Sequence, residues 1–215
     1  MKDDHMYEPP LVSDVTVSDR WGEISGVLTN DGQLFSLTFR GHRFEGSSPD
    51  ALELVTAPED APQPPRLDGS DLSDFTLRWP TPVTVRIGSQ LTQAVLTSHL
   101  VVPDRDAPDP SRHTYGVSLS LALPDGEVAT RHAGDMEQAL SELQRDVPDG
   151  VVLQTCTTCA LSDYHPGGNG FMGSLACFRN TKEEFEAVRT KDDLFALWDS
   201  RAGYVQETYR CPDFT

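Results

Sequence analysis

The chain has 215 residues, 37% hydrophobic and 24% charged, proportions that suit a globular protein with a substantial core and argue against a disordered one. Acidic residues outnumber basic ones 34 to 17, a net charge of −17, and no run of Lys and Arg exists to displace counterions. DNA, RNA and anionic membranes are therefore excluded as expected partners, while a protein partner, a basic one in particular, stays open.

The first residues, MKDDHMYEPPLVSD, carry acids and prolines where a signal peptide needs an apolar run, and no stretch approaches the ~18 apolar residues of a membrane span. A cytoplasmic setting is expected, with residues 1–14 as a loosely held terminal segment. From Val15 the pattern is that of strands. Trp21–Leu28 and the run QLFSLTF flank Asn30-Asp31-Gly32, a tight-turn signal, so a β-hairpin is expected with Phe35, Leu37 and Phe39 facing a core. Residues 56–70 carry four prolines and little to bury, which marks a long loop inside one β domain.

Alternation resumes with Phe75, Leu77 and Trp79, is broken at Pro80 and Pro82, and continues through Val83, Val85 and Ile87. Ala94–Val102 adds another strand, an acidic loop follows at 103–112, and Tyr115–Leu123 turns at Pro124-Asp125-Gly126 into a partner near Glu127–Arg131. Roughly seven to nine short strands separated by turn signals read as an antiparallel sandwich or a strongly curved sheet. The first helix spans Asp135–Val147, with Met136, Ala139, Leu140, Leu143 and Val147 as one apolar stripe, Asp135 as cap and Pro148 as stop. A short strand, Val151–Leu153, precedes Cys156. Thr181 with Glu184 forms a capping-box pattern, and Asp192 opens a second late helix presenting Leu194, Phe195 and Trp198. Strands followed by helices give the class α+β: a β-sandwich-like body over 15–132 and a cysteine-anchored region with short helices over 133–215, the two forming one domain or two.

The chain has four cysteines, Cys156, Cys159, Cys177 and Cys211. In a reducing compartment they point to metal or thiol chemistry before a disulfide framework. A CxxC turn aims two sulfurs the same way, and four thiolates suit a closed tetrahedral zinc site. An iron–sulfur cluster on the same ligands, thiol–disulfide chemistry at Cys156 and Cys159, and four ordinary reduced thiols are the alternatives. Between the second and third cysteines lies DYHPGGNG. His165 is a candidate fourth ligand in place of Cys211, with a polar turn residue as its plainer role, and Asp163 is either a turn former or an acid–base group beside the metal. The Asp104, Asp106, Asp109 loop lacks EF-hand spacing and reads as solvated, and His99, His113 and His132 lack paired ligand spacing. No phosphate loop, Rossmann fingerprint, nucleophile elbow or zincin motif is present.

The segments 155–179, 191–199 and 205–214 (TCTTCALSDYHPGGNGFMGSLACFR, KDDLFALWD and VQETYRCPDF) resemble a family of bacterial, mainly actinobacterial, cytosolic proteins of unknown function. The resemblance implies that the four cysteines are the shared feature and implies no activity. The expected protein is thus a binding or accessory module stabilised by zinc on Cys156, Cys159, Cys177 and Cys211. A metal- or cluster-dependent enzyme and a CxxC redox protein are the alternatives. Oligomeric state is open.

Overall fold

The structure, a computed structural model, describes residues 11–31, 34–104 and 114–215. The first part of the chain lays down strands β1 (Leu11–Asp19), β2 (Gly22–Asn30), β3 (Phe35–Phe39), β4 (His42–Ser48), β5 (Ala51–Thr56), β6 (Arg66–Asp68), β7 (Asp71–Ser73), β8 (Phe75–Ile87), β9 (Gln90–Val102), β10 (Gly116–Leu123) and β11 (Gly126–Ala129). Helix α1 (Met136–Asp146) and strand β12 (Val151–Leu153) follow. These strands form one 12-stranded sheet in the order β11-β10-β9-β8-β1-β2-β3-β4-β5-β7-β6, with β12 attached to β8 beside this path. Every pairing in it is antiparallel.

Period-two alternation produces the sheet's single core. In β8, Phe75, Leu77, Trp79, Val83 and Val85 are buried, and across the register Ala94, Leu96 and Leu100 of β9 join them. Helix α1 covers part of this face with Met136, Ala139, Leu140 and Leu143. It begins where Asp135 accepts the Gln138 N–H at 2.8 Å. It ends at Val147, held extended (ψ 149°) by the proline that follows.

A small three-stranded sheet in the order β13-β14-β15 comprises β13 (Ser162–Asp163), β14 (Leu175–Cys177) and β15 (Gly203–Val205). Between β14 and β15 run two short helices, α2 (Lys182–Glu186) and α3 (Lys191–Leu197). The capping box lies at Thr190 with Asp193 on α3, whereas Thr181 at the start of α2 makes no side-chain cap. Phe178, Leu194 and Trp198 bury the inner faces of these helices, with Phe185 stacked on Phe178 at 4.5 Å.

The expected class α+β is corrected. Strands hold 47% of the described residues and helices 15%, so the protein is mostly antiparallel β. A sandwich-like body fits, but the helices of the cysteine region are too short and too few to form a layer of their own. Residues 11–14, expected to be loose, are the first turn-free residues of β1, and β12 ties the later region to the same sheet. The hairpin β2–β3 forms as expected, with Gly32 outside the described residues. Asp104 reaches Arg66 at 3.4 Å, while Asp106, Asp109 and His113 lie outside the described residues.

Pro80 and Pro82, expected to break the strand, do not: β8 runs unbroken for 13 residues. The reason is which edge their missing N–H groups fall on. The Thr84 carbonyl accepts the Gln154 N–H at 2.8 Å and the Pro80 carbonyl accepts the Ser13 hydroxyl at 3.2 Å. The even-numbered peptide groups of β8 therefore face the edge shared by β1 and β12. The odd-numbered ones carry the ladder to β9, which is intact from Phe75↔Val102 to Ile87↔Gln90.

Candidate functional site

The CxxC turn is a short 3-10 turn over Cys156–Thr158, closed by the Cys159 N–H donating to the Cys156 carbonyl at 3.1 Å. Ser162 folds over it and donates to the carbonyls of Cys156 and Cys159. Cys177 lies on β14 and Cys211 in the final turn. Cys156, Cys177 and Cys211 are buried and Cys159 is half-buried, and all four are free thiols.

These side chains do not assemble into a ligand set. Among the described residues no group of three or more His, Cys, Asp or Glu side chains is placed to hold a metal ion. This overturns the metal-stabilised module expected on Cys156, Cys159, Cys177 and Cys211. The thiols serve packing instead: Cys156 and Cys177 pack with Leu175 and Val205 in a small apolar cluster. Burial pushes the Cys156 thiol up to about 12, although the backbone N–H of Cys211 faces its sulfur, and burial also raises Cys177. Both are therefore neutral near pH 7 and weak nucleophiles.

His165 and Asp163 have local roles. The His165 ring meets Phe195 and Trp198 edge-on, at 5.3 and 4.7 Å, and its Nδ1 accepts the Gly167 N–H at 3.1 Å. Asp163 accepts the N–H of Tyr164 at 2.8 Å. Farther along the loop, Asn169 donates to Glu137 of α1 at 2.9 Å. The glycine-rich loop is thus pinned between α3 and α1.

The concave feature of interest lies elsewhere, at the fork in the large sheet. Along one edge of β8, β1 pairs only with Thr76–Arg78, and β12 pairs only with Val85–Ile87. Between them, at Pro80 and Pro82, the strand offers no N–H, so neither neighbour can zip across. The resulting cleft of about 360 Å³ is lined by Leu11, Val12, Pro82, Thr84, Gln93 and Arg210, among others. Its lining includes both Thr81, which is buried, and Pro82, which is exposed, as only a gap between strands permits.

The far wall is the C-terminal segment 206–210, held from behind. The Glu207 carbonyl accepts the Thr157 N–H at 3.1 Å and the Thr157 hydroxyl at 2.8 Å, and the Tyr209 carbonyl accepts the Cys156 N–H. The Glu207 side chain turns away from the cleft. Its carboxylate accepts the Gly173 N–H at 2.6 Å, and burial pushes its pKa up to about 7 against that stabilising bond. Gln206 and Thr208, flanking Glu207, face the cleft. The wall is a fixed part of the fold.

Among the described residues no Asp or Glu lines this cleft, although the chain holds 34 of them. Among the described residues its one lining charge is Arg210, whose guanidinium lies over the Phe214 ring at 5.4 Å. Sequence reasoning did not find this site. Its available signal was Pro-x-Pro inside an otherwise regular alternation, which marks a strand edge deprived of a partner as readily as a strand's end.

Residues 13–162 match the family described as a family of unknown function, DUF6304. The chain belongs to this family. The match covers the strands from β1 to β12 and includes Cys156 and Cys159, but it stops before Cys177 and Cys211. The match overlaps the segments that carry the expected likeness only at residues 155–162. No curated protein and no solved structure matches the chain. Among the described residues no helix is long and apolar enough to cross a membrane.

Proposed function

We propose that this protein binds a small organic ligand in the cleft at the sheet fork. The observation that carries the proposal is the interrupted edge of β8: two prolines leave a gap in an otherwise continuous sheet, and the C-terminal segment walls it without filling it. The volume, about 360 Å³, falls at the small end of ligand sites, and the lining mixes apolar side chains with a few polar groups, as such sites do. Backbone pairing holds three of its walls, so the cavity needs little ordering on binding. The four free thiols support a reducing, cytoplasmic setting.

Screening a fragment mixture by NMR on methyl-labelled protein tests this. Hits should perturb Leu11, Val12, Thr84 and Thr208 together, and Gln93→Trp, at an exposed position on the rim, should abolish the perturbations while the melting temperature holds. Hits scattered over other surfaces, or untouched by Gln93→Trp, would reject the proposal.

A further inference from the structure

Resting on that assignment of the cleft, we infer that its ligand is a small monocarboxylate with an apolar body, held at its carboxylate by Arg210. An arginine cannot shed its proton at any physiological pH, so its five N–H groups must be satisfied by water or by acceptors. The Nε of Arg210 is shut off from solvent and has no hydrogen-bond partner among the described residues. Two other arginines share that feature and provide the contrast. Arg66 reaches the Asp104 carboxylate at 3.4 Å and Arg201 reaches Asp199 at 3.8 Å, so each has a counter-charge through another nitrogen. Arg210 reaches no carboxylate among the described residues. In a chain with twice as many acidic as basic residues, an arginine with no carboxylate partner among the described residues, beside a cleft whose described lining holds no Asp or Glu, offers a complementary charge to a ligand.

The geometry favours a carboxylate over other anions. The guanidinium carbon lies over the Phe214 ring at 5.4 Å, and a guanidinium's planar set of N–H donors matches the two oxygens of a carboxylate. A single cation, with no second Lys or Arg among the described lining residues, suits one negative charge better than a phosphate's two. The rest of the ligand meets a different chemistry. Leu11, Val12 and Pro82 line the cleft as an apolar wall, and Val12 stands 72% exposed, more than any other large apolar side chain described as exposed. Thr84 accepts the Gln93 amide at 3.0 Å, which leaves its hydroxyl proton free to donate.

Titrating phenylacetate and hexanoate, each beside its neutral amide, by calorimetry and NMR tests the inference. The acids should bind at least about tenfold more tightly than phenylacetamide and hexanamide, the range of one charge-assisted contact. Arg210→Gln should erase that preference by weakening the acids at least about tenfold more than the amides, and Arg210→Lys should restore part of it. Equal affinity of acid and amide for the wild-type protein overturns the carboxylate assignment but leaves the cleft as a binding site. A preference surviving in Arg210→Gln overturns it as well. If neither acids nor amides perturb the cleft residues at millimolar concentration, both the ligand class and the site fall. The wild-type comparison stands even if Arg210→Gln fails to fold.

Discussion

Glu207 is fully buried and makes no ion pair among the described residues; one carboxylate oxygen accepts the backbone N–H of Gly173 and the other has no hydrogen-bond partner among them. Burial raises its pKa from an ordinary 4.5 to about 7, so the folded state holds the proton more tightly than the unfolded chain. The resulting stabilisation is complete below pH 4.5, declines as pH rises towards about 7, and is gone above it. A shift of that size corresponds to roughly 3 kcal/mol. Glu207→Gln cannot ionise and keeps an acceptor for the Gly173 N–H. It should therefore lose this pH dependence and be more stable than wild type at pH 8. Urea unfolding at several pH values between 4.5 and 8 is the check, and parallel profiles for the two proteins would show that the carboxyl ionises without cost. Nothing in the sequence around Glu207 signalled this burial, because VQETYR has neither strand alternation nor a helical stripe.

Strand β8 shows how far local pattern reaches. The alternation of Phe75, Leu77, Trp79, Val83 and Val85 was legible, as was the apolar stripe of α1, because each follows from a period fixed by backbone geometry. The continuity of β8 was not, since whether a proline ends a strand depends on which neighbour its missing N–H would have met. That is a property of the assembled sheet. Substitutions should separate the two edges. Pro82→Ala restores an N–H on the fork side and should change stability by less than about 1 kcal/mol. Val83→Pro removes an N–H from the ladder to β9 beside a buried side chain and should cost about 3 kcal/mol or more. Thermal melts of the two variants would decide it, and comparable losses would mean that the edge assignment is wrong.

Across the molecule, apolar burial is divided unequally. One continuous core joins β1, β8, β9 and β10 to α1 and β12, whereas the C-terminal sheet rests on two small clusters around Cys177 and Phe178. Native-state hydrogen exchange should find the amides of Leu175–Cys177 and Gly203–Val205 opening at lower free energy than those of Leu77 and Leu96. Uniform protection would instead show one cooperative unit. The same division explains why the cysteines misled. Their spacing was visible, but their placement on a turn, a strand and a tail was set by contacts between segments up to 55 residues apart. The cleft was illegible for a related reason, since Arg210 and Leu11 meet only once the chain is folded. The order of the strands carries a last consequence. The path ends in β6 and β11, of 3 and 4 residues, while the 13-residue β8 and β9 sit in its interior. Its ends therefore offer little template for another chain, and the long interior strands are largely paired by their own neighbours, the open edge of β8 falling at Pro80 and Pro82, which have no N–H to offer. For this sequence, unfolding is the gateway to amyloid-like assembly, and anything that holds the sheet shut, a ligand in its fork included, acts against aggregation as well.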